Sequence, residues 1–155
     1  HAVYAQLVYP DYVYPVWQVL EAYRPPGGAW TPPVVLANGR LPVVDAGSDG
    51  AVHLLWMDEK DDAWQVYYRQ WTPENQWGLA GLVDPCGLDG VRAIEVDANV
   101  QLHALWAADS YTSLYSIRSR EGTWSAPLAL PGSLHPDLAV DGQHDVPGMV
   151  RQTPR

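Results

Sequence analysis

Cysteine is nearly missing from this chain. The 155 residues hold one, Cys86, within the turn-like run Pro85-Cys86-Gly87. A lone thiol excludes an intrachain disulfide, and without a partner at CxxC spacing it carries no zinc or redox signal. Basic residues are scarce as well: 9 Lys and Arg stand against 18 Asp and Glu, a formal net charge of −9. Nucleic acid and anionic membrane surfaces are thereby excluded as main ligands, because no basic footprint exists to hold them. No apolar run approaches the roughly 18 to 20 uninterrupted residues of a membrane span, and helical periodicity is weak throughout. Catalytic signatures are missing too: there is no Gly-rich phosphate loop, no Gly-x-Ser-x-Gly elbow and no His-Glu-x-x-His. Phenylalanine is absent beside 8 Trp and 9 Tyr, and this omission has no physical account.

What is present is repetition. His1-Ala-Val-Tyr4, His53-Leu-Leu-Trp56 and His103-Ala-Leu-Trp106 recur at intervals of 52 and 50 residues, while Trp30, Trp77 and Trp124 recur every 47. A period near 50 with tryptophans and short strands is propeller-sized. Each unit divides into four strand-like segments. The first is Leu41 to Asp45, Ala93 to Asp97 and Asp137 to Asp141; the second is the His-containing run; the third is Trp17 to Arg24, Trp64 to Arg69 and Leu114 to Arg118; the fourth opens at the recurring Trp. All are rich in Val, Leu, Ile, Tyr and Trp and are punctuated by Gly, Asp, Asn and Pro. In the second segment Val52, Leu54 and Trp56 share one face and Ala51 and Leu55 the other, so this strand must be covered on both sides.

The expected fold is therefore all-β, a β-propeller with about three four-stranded blades over 1–141 and a degenerate strand and tail over 142–155. An innermost strand is left over at one end and missing at the other, the arrangement by which propellers close through strand exchange between termini. Three blades fall short of the usual minimum of four. The chain is accordingly expected to be part of a larger propeller, or to form a homo-oligomer such as two copies sharing six blades. A start at His1 without methionine also reads as processing or excision from something longer.

Val44-Asp45, His53 to Trp56, Tyr67-Tyr68-Arg69 and Ser119-Arg120-Glu121-Gly122-Thr123-Trp124-Ser125 together resemble the repeats of bacterial sialidase-like propellers with Asp-box turns. The box here is one residue short and has Glu121 in place of Asp. The resemblance implies an extracellular or cell-surface protein. It also gives interest to Arg40 and Arg92, each five residues before an aspartate that ends an innermost strand, because sialidases grip the substrate carboxylate with arginines at the channel mouth. No motif supplies a tyrosine nucleophile or its acidic partners. The reading is therefore a non-catalytic binding module for a glycan or protein ligand; the alternatives are a sialidase-type glycoside hydrolase or fragment of one, and a structural assembly module.

Repetition also filters the candidates. His53 and His103 recur at one strand position and read as satisfied core residues. Asp45, Asp97 and Asp141 read as acceptors for backbone N–H groups of the following turn, and Arg24, Arg69 and Arg118 as braces between blades. The long connections, Ala5 to Val16, Met57 to Ala63, Ala107 to Ser113 and Ala80 to Arg92, fall on one face, where propellers place function. There, Tyr9, Tyr12 and Tyr14 would stack on sugar rings, and Asp58, Asp61 and Asp62 would gather oxygen ligands for calcium.

Overall fold

The computed structural model describes residues 1–9, 15–85, 90–132 and 138–140. Tyr12, Tyr14, Cys86, Asp137, Asp141 and the expected degenerate strand over 142–155 lie outside the described residues. Within them the protein is all-β, without a helix, and its strands form three antiparallel sheets. The first sheet holds β1 (Ala2–Val8), β2 (Val16–Ala22) and β3 (Val34–Asn38) in sequence order. The second runs β4 (Arg40–Ala46), β5 (Val52–Lys60) and β6 (Ala63–Thr72), with β7 (Gln76–Trp77) and β8 (Gly81–Pro85) both pairing with β6. The third is β9 (Val91–Val96), β10 (Leu102–Ala107), β11 (Thr112–Arg118) and β12 (Leu128–Pro131).

The recurring tryptophans occupy equivalent places. In each unit the residue after Trp donates its N–H to the carbonyl eight residues earlier: Thr31 to Tyr23, Gly78 to Gln70 and Ser125 to Ile117, each at 2.8 Å. In each unit, too, the outer strand begins four residues after Trp, at Val34, Gly81 and Leu128. The period of 47 is thus a period of hydrogen bonding as well as of composition. A strand edge needs those bonds closed wherever it leaves water.

Both faces of the central strands are covered, as their two-sided apolar pattern requires. Leu54 and Trp56 pack with Val19 of the first sheet, whereas Leu55 packs with Leu102, Ala104 and Trp106 of the third. The alternation repeats one sheet later, where Leu105 and Tyr115 turn to the far side and meet Leu138. Leu54, Leu55, Ala104, Leu105 and Trp106 are fully buried, each at 0% exposure. Burying a Leu stabilises by about 1.5–3 kcal/mol relative to leaving it in water, so these two strands anchor the stack.

The sheets meet along their inner strands, with β4 lying against β1 on one side and β9 on the other. Carboxylates tie these strands together. The Val96 N–H donates to Asp45 Oδ2 across the sheet boundary at 2.8 Å, and the Val140 N–H donates to Glu95 Oε2 at 2.8 Å. Asp45 lies opposite His53 and Glu95 opposite His103 in the ladders, so strand register equates Asp45 with Glu95, two residues from Asp97. The turn role expected of Asp45 belongs instead to Asp49, which accepts from Ala51 N at 3.0 Å. Asp97 does act in its turn, accepting from Asn99 and Gln101 at 2.9 and 2.8 Å.

Three of the expected long connections hold strand, since β1 runs on past Ala5 to Val8, β8 lies between Ala80 and Arg92, and β5 and β6 fill most of Met57 to Ala63. The run Met57 to Ala63 is a ribbon: β5 and β6 pair up to Lys60 and Ala63, and Asp61 and Asp62 close it with φ of 54° and 61°. Two successive left-handed residues are the twist-matched way to join antiparallel strands. Polar residues at its tip do not prevent the ladder from continuing into solvent. Between β3 and β4 stands only Gly39, at φ 131°, with Met57 O and Trp56 Cδ1 both 2.5 Å from where a Cβ would be. No other residue fits that approach.

Candidate functional site

Of the ligand and metal candidates singled out from sequence, those among the described residues share one end of the sheets. Tyr9 follows β1 and is 58% exposed. Arg40 opens β4, and its guanidinium lies 4.1 Å from the Trp64 ring centroid, a cation–π contact within its own sheet. Arg92 is the second residue of β9. Register does not make the two arginines equivalents: Arg40 pairs with Met57, the counterpart of Ala107, and Ala107 N bonds Gly90 O. Asp58 lies in β5, while Asp61 and Asp62 form the hairpin turn. Among the described residues no group of three or more His, Cys, Asp or Glu is arranged to hold a metal ion.

The opposite end, where β1 begins and β2, β6 and β11 finish, carries two cavities. One of about 670 Å³ lies between the first and second sheets, and one of about 430 Å³ between the second and third. They are the same cleft repeated. By the 47-residue period Glu21 corresponds to Tyr68, Tyr23 to Gln70, Trp71 to Arg118 and Trp77 to Trp124, and these positions line the two cavities.

The shared frame is a histidine on the second strand of a unit, its partner diagonally across on the third strand, and a tryptophan from the next sheet. In the second cleft His53 Nδ1 and the Tyr68 hydroxyl are hydrogen-bonded at 2.8 Å, Trp124 meets the Tyr68 ring edge-on at 5.6 Å, and the Arg118 guanidinium covers that ring at 4.5 Å. Burial and, secondarily, the Arg118 charge hold the His53 pKa below its usual value. Burial pushes the Tyr68 phenol up to about 12, against the opposing pull of Arg118. Both groups are therefore neutral near pH 7. The third sheet repeats the pair, His103 Nδ1 with Tyr115 OH at 2.6 Å.

The first cleft breaks this pattern at three positions, with Glu21 for Tyr68, Tyr23 for Gln70 and Trp71 for Arg118. Glu21 replaces the tyrosine, and its carboxylate accepts from His1 Nδ1 through Oε1 and from the Trp77 indole N–H through Oε2, the latter at 2.9 Å. Trp71 replaces the arginine; its ring centroid is 4.6 Å from that of His1 and 6.4 Å from that of Tyr23, to which it is inclined by 28°. Glu21 is only 6% exposed. A buried carboxylate is costly unless it is hydrogen-bonded, and the two N–H donors meet that requirement. The result is an aromatic recess with an oriented imidazole at its base.

Sequence reasoning passed over this group because it treated recurring positions as structural. A signal was there, since a 47-residue alignment places Glu21 against Tyr68 and Tyr115. The brace reading of the arginines divides. Arg69 bonds Gly78 O at 2.5 Å and Leu36 O of the first sheet at 2.8 Å, and Arg118 covers Tyr68 of the second. Arg24 bonds Gly28 O within its own turn at 3.0 Å.

No protein-family model matches the chain, and no curated protein matches it.

Proposed function

We propose that the three sheets are successive blades of a β-propeller and that the chain is a non-catalytic binding module for a glycan or protein ligand. Equivalent hydrogen bonds beside the tryptophan of every unit, inner strands set side by side and apolar packing on both sides of β5 and β10 support the blade reading. Ring closure takes further blades, from a second copy or from more chain: β1 is an edge strand, and Leu138–Val140 lies against the third sheet as the start of another.

One observation carries the functional part. The cleft between the first two sheets is where Glu21 and Trp71 depart from the repeat, and such a departure is what a site on a repeated scaffold requires. A hydrolase reading finds less support, because Arg40 is committed to Trp64 and stands out of register with Arg92. Glycan and protein arrays probed with the full protein, beside a fluorogenic sialoside assay, test the proposal. Array binding without turnover is expected. Sialoside hydrolysis that disappears in Arg92→Ala would overturn it.

A further inference from the structure

Resting on the binding-module reading, we infer that the cleft between the first two sheets takes a ring of a neutral saccharide. Its wall is aromatic. Tyr23 and Trp71 present near-parallel rings with centroids 6.4 Å apart, an apolar surface of the kind on which the C–H face of a pyranose stacks. Its base is polar and oriented. The Trp77 indole and His1 Nδ1 both donate to Glu21, which fixes the orientation of the imidazole and leaves Nε2 as its unengaged nitrogen. Among the described residues Nε2 has no hydrogen-bond partner, and His1 lines the cavity. A sugar hydroxyl, which both donates and accepts, supplies the missing partner.

Charge selects against the other ligand classes. A cation would be drawn by the rings, but both oxygens of Glu21 are already engaged and the residue is 6% exposed. An anion would meet that same buried carboxylate, and among the described residues no Lys or Arg lines the cavity. The volume of about 670 Å³ is within the ordinary range of small-molecule sites. In the second cleft, by contrast, Gln70 and Arg118 stand where Tyr23 and Trp71 would, so the stacking wall is missing there. The inference therefore belongs to the first cleft alone.

The test is a titration of the full protein with glucose, galactose, mannose, N-acetylglucosamine and their β-linked disaccharides, read through the indole N–H resonances in proton–nitrogen NMR spectra. At least one neutral sugar should move the Trp71 and Trp77 signals saturably and leave Trp124 in place. Trp71→Ala should weaken that binding by about tenfold, the scale of one aromatic contact; Glu21→Gln should weaken it while keeping the shape; Leu79→Ala, in the second cleft, should not change it. If Trp71→Ala does not melt cooperatively, the wild-type shifts and Glu21→Gln decide. Neutral sugars that leave Trp71 and Trp77 unmoved would overturn the inference, as would preferential shifts with tetramethylammonium or with sialic acid. Sugar or protein binding that leaves these two signals unmoved sinks this site and spares the binding-module reading; silence of every array sinks that reading itself.

Discussion

At the scale of single residues, the buried His–Tyr pairs make this core particular. Trp and Tyr each bring a polar atom inside, and several are matched to histidine, carboxylate or backbone, as where Trp56 Nε1 donates to Asn38 O at 3.1 Å, whereas Trp106 Nε1 is buried without a partner among the described residues. Tyr68→Phe should cost about 1–3 kcal/mol, since it leaves His53 Nδ1 without its partner in a dry site; chemical denaturation measures it. His53 also makes stability depend on acid. Its folded pKa is lowered, chiefly by burial, so the unfolded chain binds the proton more readily. The stabilisation is complete above the unfolded value near 6.5 and is lost as pH falls from there through the folded pKa. Melting temperatures between pH 7.5 and 5 should fall, and fall less steeply in His53→Gln. An unchanged slope would remove His53 from the account. Gly39→Ala should abolish stable folding of the first two sheets, because its Cβ would sit 2.5 Å from the Met57 carbonyl oxygen; expression with a loss of cooperative melting is the readout.

Among the elements, the β5–β6 ribbon shows how local chemistry and pairing compete. Asp61 and Asp62 adopt left-handed backbone, which costs non-glycine residues something and glycine nothing. Asp62→Gly should therefore raise stability, by about 0.5–1 kcal/mol, as read from the denaturation midpoint. A lower midpoint would show that the carboxylates are needed where they stand. Sequence patterning made the strands legible here: the two-sided apolar pattern of Val52 to Trp56 foretold covering on both faces, and Leu54 and Leu55 do face different neighbours. The ribbon was not legible, because Asp58, Glu59 and Lys60 look like a solvated loop by composition. Only the partner strand, with Trp64 and Gln65 opposite, turns them into a ladder.

For the whole molecule, the sheets are coupled by few polar ties and much apolar contact. Asp45→Ala would remove the acceptor of Val96 N–H and should cost about 1–2 kcal/mol. Leu54→Ala, between the first two sheets, should cost about 2–5 kcal/mol. Hydrogen exchange after Asp45→Ala should quicken first at the second-to-third boundary, and uniform quickening would speak for a single cooperative block. Equivalence of the units also explains the misalignment of the inner strands. Asp45 and Asp97 match as letters, but the ladder places Asp45 with Glu95 because each faces a histidine.

By itself the sequence determined that the chain is all-β, that it repeats about every 47 to 52 residues and that its central strands are apolar on both faces, since strand alternation and turn residues act over a few neighbours. Tertiary structure alone decided which sheet covers which face and which carboxylate reaches the neighbouring strand. It also decided that Glu21, His1, Tyr23, Trp71 and Trp77 converge on one recess. These residues come from two sheets and are as far as 76 positions apart in the chain. Their meeting depends on how one sheet packs on the next, a relation that no local pattern encodes.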